Sequence, residues 1–511
     1  MSAQASRRHA RRTGVRIVLG VLTMLVIIAM FVALLIVRPL PSLVDASAKG
    51  EASSEHTVSQ LQTESYCPAR MSLADTGSYG DSEFQASAGD IASSARYAAF
   101  GSVFRSVIGT TASMDGATAL QSADAADVSS IMSASGNVDG GSTLLQTRML
   151  ESKSGTGAVA SMASWATEGD LKGVSAVSCV TPALTHAFVV GGTATGTTQQ
   201  LVIANPSSKA TSLGVRAWGT SGTGALTLST GETVTVEAHG ETTVDLSAAA
   251  PNQDGLYVTV SSERTPVAAV IRTVAADGLT SKGSEVMAPA VEPDATAVMP
   301  SVRRGDDVRV IAFAERDTTT TLSWVTDKGL VQSAAHDLTG GKVTVIDMGK
   351  APAGALAVAS TAQDSIRLTA EVGRSGDDGQ ADFALVRAER PSAVSALTVP
   401  DHMDATLTVV NAGTTDADGT LIGYDGSGKR VGDAKLDLSA NAARSVDVSD
   451  IGDDAVTFRL DVAGGQIVWG ARLTNAQVDD AHLAGLASLA PTSLEETTER
   501  IWSSQNAAIV R

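Results

Sequence analysis

The sequence predicts a mainly β protein: one N-terminal transmembrane helix followed by tandem immunoglobulin-like β-sandwich domains. Three observations carry that expectation. Ile17 to Val37 is an unbroken run without charge, directly behind an arginine cluster. A repeat of about one hundred residues fills the second half of the chain. Within each copy apolar and polar residues alternate, the period of a half-buried strand.

The apolar run covers roughly 30 Å at about 1.5 Å per residue, the thickness of a bilayer's hydrocarbon core. Arg7, Arg8, Arg11, Arg12 and Arg16 precede it, and Asp45, Glu51 and Glu55 follow. The positive-inside tendency therefore predicts a cytoplasmic basic tail (1–16), an anchor (17–37) and an extracytoplasmic remainder. The nearest small-residue cleavage pattern, Ala46-Ser47-Ala48, lies beyond Pro39 and Pro41 and far from the apolar core. An uncut signal anchor in the cell membrane is the expectation.

Net charge is −18, or about −24 once the six arginines of the first 38 residues are set aside. An exterior so acidic repels nucleic acid, which is excluded as a partner. Aromatic residues make up only 4% of the chain, so cores built from Val, Leu and Ala will be thin, as in small sandwiches. Cys67 and Cys179 both fall on the exported side and are the disulfide candidates. Such a bond would close a loop of about 110 residues, which on the chain-entropy account stabilises by up to ~5 kcal/mol.

The repeat shows in ordered landmarks. Val244-Asp-Leu-Ser247 recurs as Val345-Ile-Asp-Met348 and Val446-Asp-Val-Ser449, and an arginine follows each: Arg272, Arg374 and Arg472. Early apolar strands (Leu201 to Asn205, Val308 to Ala312, Leu407 to Asn411) precede an aromatic residue beside a turn: Trp218, Trp324 or Tyr424. Strands at roughly ten-residue spacing, with no amphipathic helix between them, argue for sandwiches at 185–290, 291–392 and 393–488. Residues 38–66 read as a polar stalk and 67–184 as an atypical β-rich membrane-proximal domain. Residues 489–511 read as a tail in which Ser493-Leu-Glu-Glu496 has the form of a capping box and would begin a short helix.

Cys67-Pro68, Cys179-Val-Thr-Pro182, Gly191-Gly192 and Asn205-Pro206 come in an order that resembles the actinobacterial domain of unknown function 5719 family. The resemblance spans roughly residues 67–480. It implies an envelope location and β architecture, suggests a role beside surface-glycan assembly, and brings no catalytic residues. This chain departs from the family at His186-Ala-Phe188, where members carry an aromatic pair before the Gly-Gly.

No motif points to an activity. Gly423 to Arg430 has phosphate-loop spacing, but Arg430 stands where Ser or Thr should hold magnesium, and a hairpin turn explains it. The scattered histidines offer no zinc spacing, and the acidic turns near Asp416 and Asp450 lack the distant glutamate of a calcium loop. No catalytic residue, metal or cofactor is expected. The pairs Asp245/Arg272, Asp347/Arg374 and Asp447/Arg472 are expected as ion pairs, each within its own domain. The function expected is non-catalytic: an envelope protein that binds or scaffolds, held in the membrane by Ile17 to Val37, with an envelope glycan or a membrane protein as partner. The alternatives are an accessory subunit of a glycan-transfer or export complex, and a hydrolase with an inter-domain site.

Overall fold

Eight strand positions recur four times between Gln62 and Leu489. The computed structural model describes residues 20–30, 32, 53–74, 86–123 and 129–504. In repeat 1 the strands are Gln62–Cys67, Ala92–Phe100, Val103–Thr110, Thr118–Ala119, Met132–Gly136, Thr143–Met149, Gly157–Ala166 and Gly173–Ser178, with Gln121–Ser122 alongside the fifth. In repeat 2 they are Thr185–Gly191, Thr197–Asn205, Thr211–Trp218, Thr233–Val236, Gly240–Asp245, Gly255–Ser262, Ala268–Asp277 and Thr280–Met287. Repeat 3 has Asp294–Pro300, Asp307–Ala314, Thr318–Thr326, Gly329–Leu338 and Lys342–Lys350. Its sixth and seventh positions are fused in Ala357–Ser375, and Ala381–Arg387 is its eighth. Repeat 4 has Val394–Thr398, Asp404–Asn411, Ala417–Tyr424, Arg430–Leu438, Ala443–Asp447, Thr457–Gly464, Ile467–Thr474 and Ala487–Leu489.

Every repeat has the same antiparallel topology. A front sheet runs first, sixth, third, fourth; a back sheet runs fifth, second, seventh, eighth. In repeat 3 the long strand serves both sheets, pairing through 357–362 in front and 366–375 behind. The sandwich architecture is therefore present, but its strand order is not that of an immunoglobulin constant domain, where the first two strands share a sheet. Here the chain crosses between sheets after the first, second, fourth, fifth and sixth strands, and only the third and fourth, and the seventh and eighth, are consecutive within a sheet.

The region 67–184 is not atypical: it is a fourth copy, and its first strand starts inside the residues read as stalk. Strand-like pieces such as Ser94 to Phe100 and Gly157 to Met162 are visible in the sequence. Ala and Ser replace Val and Leu there, as in Ala92–Phe100 (ASSARYAAF), which hides the period of two and with it the kinship to the other repeats. After each eighth strand the chain returns to the first strand of its own repeat and closes the sandwich. Tyr66 bridges Val180, Ala290 N–H donates to Ala187 O, Val298 bridges Glu389, and Thr492–Ser493 pairs with Ser395 and Ala396. This closure replaces the helix expected at Ser493 to Glu496; Glu495 there accepts the Ala393 N–H at 2.6 Å.

Each repeat lays the outer face of its back sheet on the front sheet of the repeat before it. Val202 and Val270 of repeat 2 join the cluster of Tyr66 and Leu144 in repeat 1. Ile311 and Phe313 of repeat 3 pack on Val189 and Tyr257 of repeat 2, with the Tyr257 and Phe313 rings stacked at 3.9 Å. Val410 and Val468 of repeat 4 meet Val298 and Val325 of repeat 3. Finally Ala98, Phe100 and Val159 of repeat 1 pack on Ala396 and Tyr424 of repeat 4. The fourth interface closes a ring. The first and last repeats are thus neighbours in space, and Gln60 N–H reaches Thr497 O at 3.3 Å. Burial of each large apolar side chain at these interfaces is favourable by about 1.5–3 kcal/mol.

Residues 60–497 make up the ring, and the described residues that flank it fall in a second unit. In it Ser53–Ser59 pairs antiparallel with Thr498–Ser504, so part of the expected stalk and part of the expected tail are strands of one sheet. Residues 20–30 are helical, with Val21, Leu22, Met24 and Leu25 exposed. Among the described residues no helix is long and apolar enough to cross a membrane. Both ends of the expected span, 17–19 and 33–37, lie outside the described residues.

Candidate functional site

Cys67 ends the first strand of repeat 1, Cys179 follows its eighth strand, and the two are joined in a disulfide. The bond sits where the other repeats close by backbone pairing alone. The expected Asp/Arg pairs do not form. Asp245 and Arg272 both stand opposite Gln200, and Asp447 and Arg472 both stand opposite Thr406. One strand thus lies between each acid and its arginine, a spacing of about 10 Å. Asp245 instead caps the next turn through Ser247 N–H and Ala248 N–H, and Asp347 accepts Gly349 N–H at 2.8 Å.

The arginines point outward, across the ring interfaces. Arg472 of repeat 4 donates to both carboxylate oxygens of Asp306 in repeat 3, at 2.7 and 3.0 Å, and to Ser301 O. Arg272 of repeat 2 donates to Ser72 Oγ of repeat 1 at 2.8 Å. Arg96 of repeat 1 donates to Val399 O at 2.9 Å and pairs with Asp401, both in repeat 4. In each case the acceptor lies on the connection between the first and second strands of the preceding repeat. At the same level repeat 3 carries Arg309, opposite both Asp347 and Glu371. Arg374 therefore does not correspond to Arg272 and Arg472: Glu371 takes that place, and Arg374 is an exposed residue near the strand end. Arg96, Asp306, Asp401 and Arg309 were not singled out from sequence, because repeat 1 lacked a recognised register and the acids lie in irregular loops.

The four eighth strands come together on the ring axis. As sheet edges they expose unpaired backbone donors, a liability inside a protein. Buried carboxylates answer it. Asp382 Oδ2 accepts Val174 N–H of repeat 1 and Leu486 N–H of repeat 4, at 2.8 and 2.9 Å. Glu285 Oε1 accepts Ala176 N–H of repeat 1 at 3.0 Å. Burial pushes both carboxyls well above the usual carboxylate range, against the pull of those backbone donors.

At one end of the axis the inter-repeat connections surround a cavity of about 540 Å³, within the range of small-molecule sites. Each connection carries a proline: Pro182, Pro289, Pro391 and Pro491. Proline fixes φ and withholds an N–H donor, which suits extended segments that cross outside the sheets. Cys179 lines the cavity, so the disulfide pins one wall. On another wall Arg387 donates to Pro289 O at 2.7 Å and pairs with Glu389. Burial raises the Glu389 carboxyl, and the Arg387 charge opposes that rise. His186 donates Nε2–H to Val267 O at 2.6 Å, and burial lowers its pKa, so the ring is neutral at pH 7. Arg390, Ser392, Thr492 and Glu495 also line the cavity, together with the apolar Val291, Ile467 and Trp469. Most of these charges are already engaged in pairs, which suits holding a ligand by hydrogen bonds and shape.

Residues 132–449, well over half of the chain, match the family described as Family of unknown function (DUF5719). The chain is a member of that family. The match begins at the fifth strand of repeat 1 and ends just past the fifth strand of repeat 4, so it takes in parts of all four repeats of this DUF5719 protein. No curated protein matches it in sequence. Among solved structures, dimeric latent PorU from Porphyromonas gingivalis aligns over 63% of this chain at 9% identity with a TM-score of 0.13. The alignment spans only about a third of that protein's length, 34%, and carries no structural argument.

Proposed function

We propose that this DUF5719 protein is a non-catalytic binding ring displayed outside the cell on an N-terminal membrane anchor. The observation that carries the reading is the ligand-sized cavity framed by the inter-repeat connections of a closed ring. Four interfaces and a disulfide fix its walls, the rigid framework that preorganised recognition requires. The paired ends of the ring, at Gln60 and Thr497, favour tethering at one place, and the apolar run Ile17 to Val37 supplies the tether. An envelope glycan fits a cavity lined by hydroxyls, a proline-rich rim and fixed charges. The test has two arms. Fractionation and protease shaving of intact cells should find the ring with membranes and accessible from outside. Binding of purified full-length protein to an array of envelope glycan fragments should be lost in Ser392→Trp, which fills the cavity. A soluble cytoplasmic protein, or binding unchanged by Ser392→Trp, overturns the proposal.

A further inference from the structure

Three of the four ring interfaces are latched by an arginine that reaches the first-to-second-strand connection of the repeat before it. The interface of repeats 2 and 3 is not. There Arg309 pairs with Glu371 on its own sheet, and the facing connection, Gly192-Thr-Ala-Thr-Gly196, holds no carboxylate. A cleft of about 330 Å³ opens in the place of the latch. Its other charges are largely committed: Asp307 to Lys350 at 3.0 Å and Lys282 to Gly379 O at 2.6 Å. Glu371 and the buried Asp382 also line the cleft and are paired, with Arg309 and with backbone N–H groups, so the charged side chain of the lining left without a partner among the described residues is cationic. Arg374 is exposed at the rim, its side chain in no hydrogen bond or ion pair among the described residues, and Arg309 is half exposed with only Nη2 engaged, of five possible donors. Thr195, Thr197 and Ser375 also line the cleft, beside the apolar Phe383 and Leu385.

We infer that this cleft binds a small polyhydroxylated carboxylate, a sugar acid, whose carboxylate supplies the anion that Asp306 and Asp401 supply at other interfaces. Guanidinium and carboxylate match in geometry, and the Thr195, Thr197 and Ser375 hydroxyls among the lining residues suit a ligand carrying alcohols. This site is separate from the axial cavity and stands whether or not that cavity binds glycans. Because a bound anion would bridge repeats 2 and 3, it should raise the thermal midpoint of the full-length protein in detergent.

The experiment titrates glucuronate, with glucose and sulfate as comparisons, and reads the midpoint. Glucuronate should raise it saturably, glucose should not, and sulfate should act more weakly. Arg374→Gln should weaken glucuronate about tenfold, the effect of one charge-assisted contact. Thr195→Asp, which places a carboxylate on the facing connection, should raise the midpoint by itself and abolish the response to glucuronate. No response to glucuronate, an equal response to sulfate, or an undiminished response in both variants overturns the inference.

Discussion

Arg96 of the first repeat and Asp401 of the last share an ion pair across 305 residues of sequence. This contact fastens the ring shut, since it lies on the interface that joins the ends of the repeat array. An open row of the same sandwiches would leave Arg96, 3% exposed here, in water. Arg472 and Asp306 make the same kind of contact between repeats 4 and 3, with both partners buried.

The two pairs should differ in worth. Removing one partner of a buried pair strands the other charge, so Asp306→Ala should lower unfolding free energy by about 3–5 kcal/mol. Asp401 is about half exposed, so water can take its place beside Arg96, which also keeps the Val399 carbonyl as an acceptor. Asp401→Ala should therefore cost less, about 1–2 kcal/mol. Urea unfolding of the single variants, and double-mutant cycles with Arg472→Ala and Arg96→Ala, measure both. Equal costs would contradict the burial argument.

How much of this was legible beforehand follows from where the signals lie. Alternating runs such as Leu407 to Asn411 and the hundred-residue spacing reveal sheets and repetition, because burial of one face imposes a period of two. Repeat 1 stayed hidden because Ala and Ser in Ala92–Phe100 blur that period. The role of Arg272 and Arg472 was misplaced for another reason. Spacing along the chain places Asp and Arg on neighbouring positions of one sheet, but not on adjacent strands, and it says nothing of the next repeat. Ring closure has no local sequence signal at all, since it depends on which outer faces meet.

Asn205 and Asn411 end the second strands of repeats 2 and 4 and do identical work. Asn205 Nδ2 lies within hydrogen-bond reach of the Lys209, Val236 and Glu237 carbonyls; Asn411 Nδ2 reaches those of Thr415, Leu438 and Ser439. Both side chains are fully buried. Replacing either by Ala leaves buried acceptors unpaired, at about 1–3 kcal/mol each. The sites lie in different repeats, so the double variant should show the sum within about 0.5 kcal/mol in denaturant melts.

Stability should fall on both sides of a pH optimum. Glu285 and Asp382 bind protons more tightly folded than unfolded, because burial raises their carboxyls. Their contribution is complete below about pH 4 and is lost as pH rises through their raised folded-state values. His186 behaves oppositely: burial lowers its pKa, so its contribution is present above about pH 6.5 and lost as pH falls through the folded value. Glu285→Gln keeps the Oε1 acceptor for Ala176 N–H while removing one ionisation. Its urea midpoint should therefore decline less on the alkaline side than that of the unaltered protein. A parallel decline would assign the alkaline loss elsewhere.

The disulfide should be stabilising but not needed to form the repeat. Cys67 and Cys179 stand 112 residues apart in sequence and join the same two segments that Tyr66 and Val180 already pair through backbone hydrogen bonds. Opening the bond frees the unfolded chain from a long loop closure, worth about 4–5 kcal/mol on the chain-entropy account. The native pairing around it has counterparts without cysteine in the other three repeats, so its geometry does not depend on the sulfurs. A Cys67→Ser, Cys179→Ser variant should keep the far-ultraviolet signature of a β protein and unfold at lower denaturant. Its amide exchange should be fastest in Gln62–Cys67 and in the segment after Ser178, which loses its covalent hold on the wall of the axial cavity. Loss of β structure throughout would instead make the bond a requirement for folding repeat 1.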